Sequence, residues 1–152
     1  MKVEELREFL ESRMTGQQLA ERILAEVERH RQAAKRGKDV LPVYAEGATD
    51  LLVVPGHIGR ICEAFLDGSL DADSVTYMST VMELSESFTV VDEKVRYALF
   101  LLANPEVNIP ITSDLAERLR LWSRAPDQDL EHLLMDLDVR TGRPGRRRRR
   151  LE

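Results

Sequence analysis

Apolar residues recur at intervals of three and four along most of this chain, the spacing that places one buried stripe on an α-helix. Leu19, Ile23 and Val27 form such a stripe, and it begins just after a Thr15/Gln18 pair with the spacing of a capping box. Six other stretches show the same periodicity between capping residues and glycine or proline stops. The pattern predicts an all-α fold, a single-domain helical bundle of about seven amphipathic helices.

Polar side chains and glycines set the predicted helix boundaries. The first five predicted helices cover 2–12, 15 to about 37, 58–66, 71 to about 85, and 92–104, and a sixth and a seventh begin at Ser113 and Asp127. Five of them begin at an N-cap residue, namely Thr15, Asp71, Asp92, Ser113 and Asp127. Their apolar stripes should form one core, which includes Leu19, Ile23, Val27, Cys62, Phe65, Val75, Met78, Met82, Val95, Leu99, Leu102, Leu119 and Trp122.

The periodicity lapses between residues 38 and 59, where prolines and glycines indicate a loop. Within it, residues 51–54 form the only strand-like apolar run, which fits a loop, a helical turn or a short strand. We favour a helical turn that fills the core, because no second strand-like run is found elsewhere in the sequence.

A chain of 152 residues is the size of one domain, and we assign residues 1–139 to the helical domain. Residues 140–152 have no apolar face, so an arginine-rich, disordered tail is expected there. Its last two residues, Leu151 and Glu152, are typical of a cloning remnant.

Charge divides unevenly between the domain and the tail. Residues 1–139 contain 15 basic and 26 acidic residues, a balance of about -11, whereas residues 140–150 contain seven arginines. A strongly acidic domain attracts basic proteins and repels nucleic acid. Nucleic acid is therefore expected to bind at most weakly, through Arg146 to Arg150.

No apolar run approaches the roughly 20 residues of a membrane span, so no membrane association is expected. The first ten residues include Glu4, Glu5 and Glu8, which is unlike the basic start of a signal peptide. Cys62 is the single cysteine, so no intrachain disulfide can form. These features indicate a cytoplasmic protein.

No combination of residues has the spacing of a known catalytic or metal site. The three histidines lack metal-ligand spacing, and no glycine-rich phosphate loop occurs. His57 and Cys62 are five residues apart, about 500° of helical rotation, which turns the two side chains away from each other. Paired carboxylates such as Glu83 and Glu86 lie among polar residues. We therefore expect no enzymatic activity, no cofactor and no metal.

Two segments of the chain share a pattern at a constant offset of 56 residues. Phe9, Leu10, Met14, Thr15 and Leu19 align with Phe65, Leu66, Leu70, Asp71 and Val75. Each copy is a helix end, a polar turn and a capped second helix. The pattern is compatible with two related helical hairpins, and also with ordinary helix punctuation.

The two segments, FLESRMTGQQLAERI at 9–23 and FLDGSLDADSVTYM at 65–78, resemble the opening of the colicin-D-type immunity proteins. Members of that family begin with a helix ending in a Phe-Leu pair, a short polar turn and a capped second helix. The resemblance implies an enzymatically inert helical bundle whose acidic surface covers the substrate site of a basic nuclease toxin.

The composition and the resemblance both lead us to expect an acidic surface that binds a basic protein partner. The candidate contact residues are exposed acids on capped helices and turns, namely Glu11, Asp67, Asp71, Asp73, Glu83, Glu86 and Glu106. Taken singly, each of them is more readily explained as plain solvated surface. A toxin-neutralising immunity protein is the first interpretation; a helical adaptor or regulatory subunit and a homo-oligomeric scaffold remain alternatives, and the sequence leaves the oligomeric state open.

Overall fold

The computed structural model describes residues 1–38, Tyr44 and residues 50–137, and this part of the chain is mostly helical. It contains seven helices and two short strands: α1 (Val3–Leu10), α2 (Gly16–Lys35), β1 (Leu51–Leu52), α3 (Pro55–Leu66), α4 (Ala72–Leu84), β2 (Phe88–Thr89), α5 (Glu93–Ala103), α6 (Ser113–Arg124) and α7 (Leu130–Leu134). The predicted all-α fold of about seven helices is confirmed. The arginine-rich tail predicted at 140–152 lies outside the described residues.

Capping side chains start the helices much as their sequence spacing predicts. Thr15 Oγ1 accepts a hydrogen bond from the Gln18 N–H at 3.1 Å, and Gln18 Oε1 accepts one from the Thr15 N–H at 2.9 Å. The side chain of Asp71 accepts from the Ser74 N–H, and that of Asp92 from the Lys94 N–H. These bonds satisfy backbone donors that have no partner within the first helical turn.

Two predicted N-caps were wrong. The side chain of Thr112, not of Ser113, accepts the hydrogen bond that begins α6, because Thr112 has the extended backbone that an N-cap requires. Asp129, not Asp127, caps α7 by accepting from the N–H groups of Glu131 and His132. In both places several adjacent polar residues could cap, and spacing alone did not choose between them.

Helix α3 begins at Pro55, three residues before the predicted start at Ile58. Proline is favoured at the first helical position because its fixed φ suits a helix and its missing N–H would have no partner there. The proline interpreted as loop punctuation is therefore the first residue of the helix.

The helical turn predicted at 51–54 was also wrong. Strand β1 pairs in parallel with β2, so that Leu51 lies opposite Phe88 and Leu52 opposite Thr89. The N–H groups of Leu51 and Val53 donate to the carbonyls of Ser87 and Thr89, both at 2.9 Å. The partner strand has only two residues, too few to show an alternating pattern in the sequence, and α3 and α4 supply the long connection that parallel strands need.

One hydrophobic core collects residues from all seven described helices and contains every predicted core residue except Phe65. Phe65 is only partly buried and packs against the edge of this core. Helix α3 packs along α6, and a Cβ atom at Gly59 would lie 2.2 Å from Ser123 Oγ. Glycine at this position therefore allows the two helices to approach closely.

The segments that link α1 to α2 and α3 to α4 have the same backbone geometry. Corresponding N–H groups, 56 residues apart, donate to corresponding carbonyls: Glu11 to Arg7 and Asp67 to Glu63, Ser12 to Phe9 and Gly68 to Phe65, Met14 to Glu8 and Leu70 to Ala64. Ser12 and Gly68 both have a left-handed backbone, with φ of 63° and 83°. The repeat that the sequence shows is thus a repeat of one turn structure.

The two turns lie against each other. Arg60 of α3 donates hydrogen bonds to the carbonyls of Phe9 and Met14, on either side of the first turn. A Cβ atom at Gly16 would lie 2.9 Å from the Cβ of Ser69 in the second turn. The pair α1–α2 is therefore held directly on α3 and the turn that follows it.

In the part of the chain that the structure describes, no helix is both long and apolar enough to cross a membrane.

Candidate protein-binding surface

Two of the predicted contact residues, Asp71 and Asp73, bind a basic side chain of the same chain. Arg31 of α2 places Nη2 3.2 Å from Asp71 Oδ2 and Nε 2.5 Å from Asp73 Oδ2, and its Nη1 also contacts Glu28. The hydrogen bond to Asp73 is the main reason that the pKa of Arg31 is raised. These two carboxylates hold α2 to the start of α4, so they are poor candidates for binding a partner.

The sequence contained a signal for this contact. Leu19, Ile23 and Val27 form the buried stripe of α2, and Arg31 is the next residue at the same four-residue spacing. An arginine that continues a buried stripe faces a neighbouring element, and here that element is the N-terminus of α4.

Glu11 and Asp67, the next two candidates, stabilise the two equivalent turns. Glu11 contacts Arg7 at 3.1 Å and Arg13 at 2.5 Å. Asp67 Oδ1 accepts a hydrogen bond from the Ser69 N–H at 2.8 Å, and hydrogen bonding to Ser69 lowers the pKa of Asp67. Both residues therefore have local structural roles.

Glu83, near the end of α4, is in a different situation. Its Oε2 accepts a hydrogen bond from Asn104 Nδ2 at 3.4 Å, and the same Nδ2 donates to the Phe100 carbonyl at 3.0 Å. Desolvation raises the pKa of Glu83, and the Asn104 hydrogen bond only partly opposes that effect. Among the described residues no Lys or Arg forms an ion pair with Glu83. A basic side chain of a partner could therefore bind Glu83 without displacing a basic residue of this chain.

Asn104 also fixes the connector between α5 and α6. Its carbonyl accepts hydrogen bonds from Asn108 Nδ2 at 2.9 Å and from the Val107 N–H at 3.4 Å. These bonds fold residues 104–108 against the C-terminal ends of α4 and α5, and they place the exposed Glu106 at the same end of the domain as Glu83.

Large apolar side chains are exposed at this end. The exposed fraction is 44% for Leu84, 41% for Phe100 and 67% for Val107. We call the following set the Asn104 surface: Glu83, Leu84, Phe100, Asn104, Glu106 and Val107. Glu86 is exposed two residues beyond Leu84 and lies at the border of this surface. Exposed apolar side chains in company with charged residues are common in protein-binding surfaces.

The sequence around the Asn104 surface contains no competing cations. Residues 61–93 include eight acidic residues and residues 97–117 include three, and neither segment contains Lys or Arg. This signal was present in the sequence, but an overall count of charges does not show it. The sequence does not mark Phe100 as exposed, because this residue directly follows Leu99, which belongs to the buried stripe of α5.

His57 and Cys62 each have an evident structural role. Burial raises the pKa of the Cys62 thiol to about 12, so that it is almost fully protonated near neutral pH. His57 Nδ1 accepts a hydrogen bond from the Val54 N–H at 3.2 Å, and burial lowers the pKa of this histidine. Within the described residues no group of three or more His, Cys, Asp or Glu side chains could hold a metal ion. That the protein has no enzymatic activity stays a prediction.

No family model, no curated protein and no solved structure matches this chain. The resemblance of residues 9–23 and 65–78 to the colicin-D-type immunity proteins therefore stays a prediction from the sequence.

Proposed function

We propose that this chain is a non-catalytic helical domain that binds a basic protein partner through the Asn104 surface. The supporting observation is that Phe100 is 41% exposed and that the Asn104 side chain joins its backbone carbonyl to the Glu83 carboxylate, with Glu106 exposed two residues further along the connector. An exposed aromatic side chain can enter a pocket on a partner and supply much of the binding energy. Carboxylates around it select a partner that carries lysine or arginine.

The charge of the domain supports a protein partner over nucleic acid. An acidic surface repels phosphates and speeds the approach of a basic protein, most strongly at low ionic strength. The apolar centre of the Asn104 surface also needs an apolar counterpart, which a folded protein offers more readily than a phosphate backbone does.

The specific role that we propose is neutralisation of a toxin by an immunity protein. An inhibitor of this kind needs only to cover the site of a basic enzyme, and it needs no reactive group of its own. The properties of His57 and Cys62, which serve as a structural acceptor and a buried thiol, agree with such a role. The resemblance to the colicin-D-type immunity proteins points in the same direction.

The test is capture of the partner from the source cell, followed by co-expression of the two proteins. We would compare the wild-type chain with Phe100→Ser and with the control Leu121→Ser, which alters a similarly exposed side chain (51%) on α6. Wild-type protein and the control should retain a basic protein and relieve its toxicity. Phe100→Ser should weaken the affinity about tenfold or more, as expected for the loss of a central aromatic contact.

Two results would remove this proposal. If the captured protein is acidic, or keeps its full activity in the complex, the chain is not an immunity protein and a helical adaptor becomes the better description. If Phe100→Ser and Leu121→Ser weaken capture equally, the partner does not bind at the Asn104 surface.

A further inference from the structure

We propose that the arginine-rich segment at residues 140–150 binds the Asn104 surface of its own chain and competes with the basic partner for it. The intramolecular contact is independent of the proposed function, whereas the competition rests on it.

The arginine-rich segment and the Asn104 surface are complementary in charge. The segment contains seven arginines, at positions 140, 143 and 146–150, whereas residues 61–93 and 97–117 contain no basic residue that could already hold Glu83 or Glu106. A guanidinium group can bind a carboxylate with two parallel hydrogen bonds and can also stack on an aromatic face. The Asn104 surface offers both kinds of partner, because it includes the exposed Phe100 and the Glu83 carboxylate, which Asn104 joins to the Phe100 carbonyl.

The described chain ends beside α6. The described chain ends at Leu137, and the preceding Asp136 forms an ion pair with Arg118 of α6, which also contacts Asp114 at 3.1 Å. The chain therefore leaves the domain beside the first turns of α6. The connector that begins at Asn104 runs into the same end of α6, at its N-cap Thr112.

The segment is at least as long as the connector between α5 and α6. An extended chain spans about 3.5 Å per residue, so the eight steps from Asn104 to Thr112 cover at most about 28 Å. By the same measure, the thirteen steps from Leu137 to Arg150 reach up to about 45 Å. At Arg146 the nine steps from Leu137 reach up to about 32 Å, so each of Arg146 to Arg150 can span at least the full length of the connector between Thr112 and Asn104.

The covalent connection makes even a weak contact significant. A tethered ligand acts at an effective concentration on the order of millimolar, so a segment that binds weakly in trans can still occupy its site for much of the time. A basic partner must then displace it, which lowers the apparent affinity for the partner and rejects weak basic competitors.

The test uses the full chain and a fluorescent peptide of residues 141–150, TGRPGRRRRR, as the probe. We would measure peptide affinity for the wild-type chain and for a variant with Arg146 to Arg150 each replaced by Ser. The variant should bind the peptide about three- to tenfold more tightly, because its surface is free. A loss of net positive charge alone would also favour the peptide, so both chains are then tested in two further backgrounds.

The first background is Glu83→Gln/Glu86→Gln/Glu106→Gln, which removes the carboxylates of the Asn104 surface and its border. The second is Glu4→Gln/Glu8→Gln/Glu21→Gln, which removes the same charge from α1 and α2. The increase in peptide affinity that follows removal of the arginines should disappear in the first background and persist in the second. In amide NMR spectra, the shifts between the wild-type chain and its arginine-free variant should concentrate at Phe100, Asn104 and Val107.

Equal peptide affinity for the wild-type chain and the arginine-free variant would overturn the proposal. So would a gain that is the same in both glutamine backgrounds, because that result shows only a general charge effect. A gain that grows with protein concentration means that the segment binds a second copy and not its own chain. Salt-sensitive binding of a single-stranded RNA 20-mer by the arginines, with peptide affinity unchanged by their removal, would make the segment a nucleic-acid arm.

Failure of this proposal and failure of the proposed function are distinguishable. If the arginines do not affect peptide binding but Phe100→Ser abolishes capture of a basic protein, only the intramolecular contact is wrong. If the peptide results hold and Phe100→Ser leaves capture unchanged, the segment binds its own domain but does not compete with the partner.

Discussion

Arg60 contacts Phe9 twice: its Nε donates to the Phe9 carbonyl at 2.5 Å, and its guanidinium carbon lies 4.8 Å from the centre of the Phe9 ring. Its Nη2 also donates to the Met14 carbonyl at 2.8 Å. One half-buried cation therefore satisfies carbonyls at the end of α1 and before α2. This residue is the main polar connection between the first helical pair and α3.

Replacing Arg60 should lower the stability of the whole domain. Hydrogen bonds to a charged donor contribute about 1.5–3 kcal/mol. Arg60→Ala removes two of them; the Phe9 carbonyl keeps the Ser12 N–H as a donor, whereas the Met14 carbonyl loses its side-chain donor, so we expect a loss of about 2–3 kcal/mol in the free energy of unfolding. Urea denaturation measures it. The control is Arg124→Ala, which removes an exposed ion pair with Glu63 and should cost less than about 1 kcal/mol. Equal losses in the two variants would contradict the role assigned to Arg60.

Two glycines of α3 should respond in opposite ways to the same substitution. Gly59→Ala places a Cβ 2.2 Å from Ser123 Oγ and 3.0 Å from its Cβ, so the Ser123 hydroxyl must leave the Arg120 carbonyl and the packing of α3 on α6 must loosen slightly. We expect a loss of about 1–3 kcal/mol in the free energy of unfolding. Gly56→Ala meets no atom within 4 Å and should stabilise the helix by up to about 1 kcal/mol. Thermal unfolding of both variants tests this, and a harmless Gly59→Ala would show that the helices are less closely packed.

The equivalent turns predict a reciprocal pair of substitutions. Ser12 has a left-handed backbone that disfavours every residue with a Cβ, so Ser12→Gly should stabilise the domain by up to about 1 kcal/mol. Gly68 has the same conformation, and Gly68→Ala should destabilise it by about 1 kcal/mol. Denaturation midpoints give both values. Changes of the same sign would show that the two turns are not equivalent.

His57 should make stability depend on pH. Burial lowers its pKa in the folded protein below the unfolded value of 6.5, so the unfolded chain binds a proton more readily. The stabilising contribution is complete above about pH 6.5 and is lost as the pH falls through the lower, folded-state pKa. His57→Gln keeps an acceptor for the Val54 N–H but does not titrate, so its stability should fall less than that of the wild type between pH 7.5 and pH 5. Parallel curves would contradict this role.

Adjacent residues of α5 should separate stability from binding. Leu99 is 2% exposed, and Leu99→Ala should cost about 2–5 kcal/mol in the free energy of unfolding. Phe100 is 41% exposed, so Phe100→Ala should change stability much less while it reduces partner capture. Chemical denaturation and a capture assay on the two variants make the comparison. A larger stability loss for Phe100→Ala would mean that its ring belongs to the core.

The helices were predictable because each signals its own start, stop and buried face. The Thr15/Gln18 capping box and the stripe of Leu19, Ile23 and Val27 depend only on residues close in sequence, and the structure has them as predicted. Strand β1 was not predictable, because its short partner at Phe88 and Thr89 is 37 residues away. Strand pairing depends on a non-local contact that a local pattern does not encode.

For the charged groups, too, local contacts could be predicted and distant contacts could not. The sequence identified Asp71 as a cap, and the spacing of Arg31 indicated that it faces a neighbouring element, but not that this element would be the start of α4, 40 residues later. Distant ion pairs decide which acids remain available, so an acidic composition alone did not separate Asp73 from Glu83. The absence of Lys and Arg from residues 61–93 and 97–117 is the sequence feature that comes closest to marking the Asn104 surface.

The parallel pairing of β1 with β2 also bears on the order in which this chain folds. The pairing closes a loop that contains both α3 and α4, and closing a long loop for a few hydrogen bonds is entropically unfavourable until those helices are in place. The strands should therefore join late in folding and open early in native-state fluctuations. In hydrogen exchange, the Val53 amide, which donates to Thr89, should lose protection in a local opening that leaves the amide of Leu99 protected.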